Sequence, residues 1–451
     1  MANGFFKVRF CHKLDSLVFF QVDREMKLSV RMLSLAVIFN LTFYLMAESL
    51  PSREWTSTAG TNLKAEALGI EKGIVRFKAA DGRELSVALN LLVPADRKVL
   101  REAFPEMATE VPEGQAPEGL PHPQGEIVGP IESSDSSSYY LYLPESMSAD
   151  TPAPVLFFGG SGGAGRGALQ PLITGAELTG MVLAASVENG NSMSNIATIE
   201  NTKSSISHLK STLPVDGDRL TFTGGSGGGA RTFIQATEFK DHCVGAIPFV
   251  GYVPSNHRMS WGKQTYFYIM GGARDFNRYS SAGAAETIGK RAVYRPYPGG
   301  HVSPSAEVWN EALIWVYTSD LYLNGNGTEA ERKRFEARFL NFLKEDLAEK
   351  THQATFWSDH LLETCDISGP FAGEIETLLA ELKEDEKNAR YLEAWDAIRK
   401  FTKKEYADLA GGSKKKHGSD SIARAAEKIA VKFADVPEVS ALAKELGEKT
   451  E

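Results

Sequence analysis

Two runs of the chain read Gly-Gly-Ser-Gly-Gly, at residues 159–163 and 224–228. Each matches G-x-S-x-G, the pattern that presents a serine hydroxyl at a sharp turn between a strand and a helix. An enzyme of this kind normally uses one such serine. Ser226 follows the β-rich run "RLTFT" and is followed directly by the helix former "ARTFIQATEF". Its neighbours two residues away, Gly224 and Gly228, have no side chains to keep that strand and helix apart. Ser161 also follows an apolar run, "PVLFF", but the glycines of the following "GGAGRG" delay any helix. A loop of exposed backbone N–H groups suits the binding of developing negative charge. The two runs therefore read as parts of one site. Ser226 is the nucleophile, Gly160 or Ser161 supplies one oxyanion donor, and the N–H of Gly227 supplies the other.

A serine hydroxyl is a weak nucleophile and needs a base, itself held by an acid. Asp275 in "MGGARDFNR" follows the apolar run "TYFYIM", and His301 in "YPGGHVSP" follows "AVYRPY". Both fall just beyond a strand's C-terminal end, where α/β sheets place their sites. The order is Ser, Asp, His. Surface pairing with Arg274 or Arg278 is the competing use for Asp275. His208, His242 and His257 fit the role of base less well by position, and Asp216 and Asp218 read as turn residues.

Between about 135 and 320, short apolar runs alternate with helical stretches, the signature of an α/β sheet. Strands are expected at "YYLYL", "PVLFF", "MVLAAS", "RLTFT", "GAIPFV", "TYFYIM" and "AVYRPY". Runs apolar on both faces belong in a mostly parallel sheet covered by helices. Elbow, glycine loop, acid loop and Gly-Gly-His together resemble the α/β-hydrolase superfamily, nearest its serine esterase and depolymerase-like branches, over about residues 130–320. One departure is Gly225, where many relatives carry a bulkier residue, which implies a looser elbow. The resemblance implies an acyl-enzyme mechanism with neither metal nor organic cofactor. About fifteen residues separate "GAIPFV" from "TYFYIM", too few for a large lid, so an open site suited to polymer-linked esters, such as those on polysaccharides, is expected. "YVPSNHRMSW" is a candidate rim, with Trp261 either stacking on a substrate or simply packed.

The flanking segments divide as follows. Residues 1–47 read as an upstream extension and a secretory signal peptide: Lys27 and Arg31 precede the apolar run "MLSLAVIFNLTFYLMA", which ends at the small residue Ala47. An uncleaved anchor is the alternative. Cleavage removes six basic and three acidic residues, taking the formal charge from −9 to −12, and directs the chain to the periplasm or outside the cell with no stable membrane insertion. Residues 53–105 carry a hairpin signal, "GIVRFKA" and "RELSVAL" around Asp81-Gly82, with Trp55, Val75, Phe77 and Leu85 as core. Arg53-x-Trp55-Thr56, Gly60, the Val-x-Phe strand and "LLVPADRKVL" resemble the endocytic-adaptor homology domain, which implies a small SH3-like β-barrel and a peptide or protein ligand. Residues 106–134, rich in Pro, Glu and Gly, read as a linker, 135–324 as the catalytic domain, and 325–451 as a helical region without evident chemistry. The acidic balance excludes nucleic acid as the natural partner. The basic cluster Lys414–Lys416 reads as a solvated loop, and no His or Cys spacing suits a zinc site. Cys243 and Cys365 are the pair available for a disulfide. The leading reading is an exported carboxylic-ester hydrolase. A prolyl-oligopeptidase-type peptidase shares the triad order but lacks here a preceding propeller, and a catalytically dead protein whose barrel binds peptides is the third.

Overall fold

The computed structural model describes residues 50–448 except 57–61, 72–73, 89–91, 93–95, 97–98, 101–102, 105–119, 135–136, 149–150, 161–164, 256, 350–356, 359 and 404–418. The proposed leader, Ser161 and the Lys414–Lys416 cluster lie outside those residues. The chain divides into two compact units, residues 1–110 and 111–451.

The first unit is an antiparallel meander of β1 (Leu50–Thr56), β2 (Asn62–Glu71), β3 (Ile74–Ala79) and β4 (Glu84–Ala88). The β3–β4 turn contains Gly82 at φ +86°, and Phe77 faces Leu85 across the pair. Trp55, Val75 and Phe77 are fully buried, and Leu85 packs against them. The Trp55 indole N–H donates to the Ala65 carbonyl at 2.8 Å, so its one polar atom is satisfied inside the core. Asp96 ties the unit together, accepting from the Arg53 guanidinium at 2.6 Å and from the Thr56 N–H at 2.7 Å.

The second unit is built on eight strands: β5 (Ile127–Ser134), β6 (Ser137–Tyr142), β7 (Ala153–Phe158), β8 (Val182–Ser186), β9 (Val215–Gly225), β10 (Cys243–Phe249), β11 (Tyr266–Gly272) and β12 (Ala292–Tyr297). Their order across the sheet is β12-β11-β10-β9-β7-β8-β6-β5, with β7 to β12 parallel and β5 and β6 added antiparallel at one edge. Every expected strand forms. β7, β8 and β10 are buried along their whole lengths, as strands with covered faces must be. The order reverses between β7 and β9, which is where an open α/β sheet leaves a crevice at its carboxyl edge.

Helices α1 (Ile173–Thr179) and α5 (Ala306–Thr318) pack together on one face, while α2 (Asn195–Thr212), α3 (Gly227–Glu238) and α4 (Arg278–Ile288) contact strands β5 to β12. Strand β5 falls inside the stretch read as linker. Gly129 and Pro130 hide it in the sequence, but an edge strand tolerates proline, and the register shifts between Val128 and Ile131 to accommodate it. The helical region follows as α6 (Glu329–Glu349), α7 (Pro370–Glu384), α8 (Glu386–Phe401), α9 (Ser419–Lys432) and α10 (Pro437–Gly447). Thr328 Oγ1 caps α6 by accepting from the Glu331 N–H at 3.1 Å. The Glu331 carboxylate turns instead to the buried Arg219 guanidinium, 2.8 and 2.9 Å away. Cys243 and Cys365 are both free and buried. No helix among the described residues is long and apolar enough to cross a membrane.

Candidate active site

Ser226 stands between β9 and α3 with φ +55° and ψ −120°. That backbone conformation is costly for a residue with a Cβ, by roughly 1–3 kcal/mol. It is held by two hydrogen bonds: the Ser226 N–H donates to Phe249 O at 3.0 Å and the Ala230 N–H donates to Ser226 O at 3.0 Å. Strand and helix meet backbone to backbone. A Cβ on Gly224 would lie 2.7 Å from the Gly228 carbonyl oxygen, so Gly224 has no room for a side chain. The looser elbow expected at Gly225 is not found, because the Phe249 ring of β10 occupies the space a side chain there would take. Phe249 is in turn wedged edge-on against Trp309, ring centroids 5.2 Å apart.

His301 and Asp275 come to Ser226 from the loops after β12 and β11. The Ser226 hydroxyl donates to His301 Nε2 at 2.7 Å, and His301 Nδ1–H donates to Asp275 Oδ2 at 2.9 Å. An ionised carboxylate against Nδ1 selects this tautomer and leaves Nε2 free to accept. Asp275 is 1% exposed, which removes the surface-pairing alternative. Its second oxygen accepts the Asn277 N–H, and the Asn277 side chain donates to Val250 O at 2.9 Å. Arg278 directs its guanidinium to the Ala273 and Glu448 carbonyls. Burial pushes the Asp275 carboxyl above its usual range, against the pull of the Asn277 N–H, His301 and the Arg278 charge. Phe276 stacks on the imidazole, centroids 4.6 Å apart and planes 16° from parallel, and is itself 57% exposed. The other histidines weighed are engaged elsewhere: His208 with the Tyr139 hydroxyl, His242 with Asp218, and His257 3.7 Å from Glu238.

The Gly227 N–H is the first of α3, at the positive end of the helix dipole. Asn191 rests its side-chain oxygen where a Cβ of Gly227 would be. Its loop is clamped by Arg231 of α3, whose guanidinium donates to Gly190 O at 2.7 Å and Met193 O at 2.6 Å. Nothing in the sequence pattern marks this clamp. On the facing loop the Gly159 N–H continues the sheet ladder to Thr223 O at 2.8 Å. The chain then turns at Gly160, φ +97°, where a Cβ would overlap the Asn189 carbonyl. Gly160→Ala is therefore expected to destabilise the protein by more than about 1 kcal/mol. It should also lower kcat by about 10²–10³-fold through the displaced donor, as urea titration and initial rates will read. Unchanged kcat would remove Gly160 from the oxyanion hole.

Ser226 and His301 open onto a cleft of ≈ 530 Å³ floored by Phe158 and Phe249 and walled by Gly165, Ala168, Val250 and Val302. Among its described lining residues His301 carries the only ionisable ring or charge. Trp261 takes the packed alternative: its indole N–H donates to Phe233 O at 3.0 Å and its rings meet Phe233 and Phe267. A Cys–His pair outside the cleft, Cys365 Sγ and His360 Nε2 at 3.4 Å, is buried. Burial pushes that thiol up to about 12, which makes it no nucleophile.

No protein-family model matches the chain, and no curated protein does. Solved structures do. S-formylglutathione hydrolase from Staphylococcus aureus is 13% identical over 44% of this chain and 99% of its own, with a TM-score of 0.34. Acetyl xylan esterase from Aspergillus awamori is 14% identical over 40% of this chain and 95% of its own, with a TM-score of 0.32. A thermophilic esterase from the Planctomycetes species Thermogutta terrifontis is 17% identical over 45% of this chain and 93% of its own, with a TM-score of 0.34. Likeness this distant says nothing of what the chain acts on. By its strand order, its crossover between β7 and β9 and its strained serine after β9, the second unit has the α/β-hydrolase fold.

Proposed function

We propose that the protein is an exported serine hydrolase that cleaves uncharged carboxylic esters. The relay Ser226 Oγ to His301 Nε2 to Asp275, with distances of 2.7 and 2.9 Å, is the observation that carries the reading. His301 takes the Ser226 proton as the oxygen attacks the ester carbonyl. The Gly227 and Gly160 N–H groups receive the developing oxyanion. The imidazolium, held by Asp275, then returns its proton to the departing alcohol, leaving an acyl-enzyme. Water deprotonated by His301 attacks the acyl carbon, and Ser226 is regenerated as the acid departs.

The cleft narrows the substrate. Phe158, Phe249, Val250 and Val302 favour an apolar acyl or alkoxy group, and no charge among the described lining residues answers a carboxylate or ammonium. The described residues of the 250–265 connection form no helix above the site, which supports access by a chain-linked ester such as one on a polysaccharide. Export is the part of the proposal that rests on Lys27, Arg31 and the run ending at Ala47.

The test is fluorophosphonate labelling of residues 48–451 with mapping of the modified peptide, beside a panel of neutral esters, charged esters and peptide amides. Label on Ser226, lost in His301→Ala, and turnover of neutral esters are expected. Faster cleavage of peptides than of esters would make the protein a peptidase instead, and a folded protein that takes no label would end the hydrolase reading.

A further inference from the structure

The last helix reaches both loops of the triad. The Gly299 N–H, two residues before His301, donates to Glu445 Oε2 of α10 at 2.6 Å. The same oxygen lies 3.8 Å from Nε of Arg274, the residue before Asp275. Three residues on, the Glu448 carbonyl accepts from the Arg278 guanidinium at 2.6 Å. Ala273, at the start of the acid loop, is fully buried in one apolar cluster with Ile398, Ile422, Phe433 and Leu442 of the C-terminal helices. The region read as an appendage without evident chemistry is thus packed onto the machinery.

The need for such a contact follows from the chain at the histidine. Gly299 has φ +106°, Gly300 follows, and neither has a side chain with which to anchor the turn. Two backbone bonds join the loops directly, Arg274 N–H to Gly299 O at 2.9 Å and Ala273 N–H to Tyr297 O at 2.8 Å. Neither engages the Gly299 N–H, which points the other way, to the carboxylate. A hydrogen bond to an ionised acceptor is about twice as strong as a neutral one. Glu445 therefore holds the Gly-Gly-His turn and the acid loop at one point. A catalytic dyad needs its geometry kept within about 0.5 Å and 10–20°.

We propose that Glu445 is a positioning residue for the His301–Asp275 pair, which makes the C-terminal helices a working part of the catalytic centre. This rests on the hydrolase reading of Ser226. The full-length mature protein and the variants Glu445→Ala, Glu445→Gln and Ile422→Ala would be compared for kcat, KM, melting temperature and rate of fluorophosphonate labelling. Ile422→Ala loosens the same helical core with the carboxylate in place. Glu445→Ala is expected to lower kcat and labelling rate by about 10- to 100-fold, with KM changed less than about twofold, as for a loss confined to the transition state. Glu445→Gln, whose amide oxygen still accepts from Gly299, should recover most of the loss. Ile422→Ala should lower the melting temperature but cost kcat far less than Glu445→Ala does. Wild-type kcat in Glu445→Ala, a glutamine no better than alanine, or an equal kcat loss in Ile422→Ala would each overturn the proposal. Failure of the hydrolase reading looks different: then the unsubstituted protein also takes no label, and the proposal falls with it.

Discussion

Ser226→Ala is expected to lower kcat for a neutral ester by about 10⁶-fold, leaving only the residual rate that an oxyanion hole and binding provide. The fold should survive, because alanine carries the same Cβ in the same strained backbone and the hydrogen bonds to Phe249 O and from the Ala230 N–H involve only the main chain. A companion substitution separates chemistry from strain. Ser226→Gly should be equally inactive yet more stable than Ser226→Ala by roughly 1 kcal/mol or more, since glycine holds φ +55° without a steric penalty. Initial rates on freshly purified variants, with active-site titration to exclude contaminating wild type, read the first effect, and urea unfolding reads the second. More than about one percent of wild-type kcat in Ser226→Ala would remove this serine as the nucleophile.

Asp275→Asn is expected to trade activity for stability. Asparagine keeps the shape and an oxygen for the Asn277 N–H, but it selects the wrong imidazole tautomer and does not stabilise the imidazolium, so kcat should fall by about 10⁴-fold. The stability change has the opposite sign. Burial raises the Asp275 carboxyl above its ordinary value of 3.8. Between that value and the raised one, the folded protein holds a proton that the unfolded chain has lost. Stability contributed by this group is therefore full below 3.8 and falls as pH rises through the raised pKa. Asparagine has no charge to bury, so the variant should be more stable than wild type at neutral pH, and the gain should vanish in acid. Unfolding curves at both pH values test this. A variant less stable at neutral pH would mean that the hydrogen bonds to the carboxylate outweigh its burial.

Both predictions locate strain at the same place, the carboxyl edge of β9 and β11. The strained backbone of Ser226 and the buried carboxylate of Asp275 are features that the rest of the unit must hold in position. The Arg231 clamp on the Gly190–Met193 loop and the α10 contacts at Glu445 and Glu448 are where it does so.

The sequence by itself determined the strands β6 to β12 of the main sheet, the chain order of the candidate site residues and the strand–turn–helix around Ser226. These are local properties: apolar runs set strands, and two glycines around Ser226 permit the turn whatever lies elsewhere. Asp275 and His301 were legible for the same reason, each a polar residue just past an apolar run. What only the tertiary structure decided is which distant groups fill and brace that site. Phe249 takes the space at Gly225 because β10 lies beside β9. Trp261 turns inward because Phe233 and Phe267 offer it rings and a carbonyl. Strand β5 pairs in spite of its Gly-Pro because an edge leaves one side free. Glu445 reaches Gly299 across 146 positions of chain, and no periodicity or short spacing can encode a contact made by one helix end closing on a distant loop. Residue type and neighbours select local conformation; packing and the direction of a single N–H select the partner.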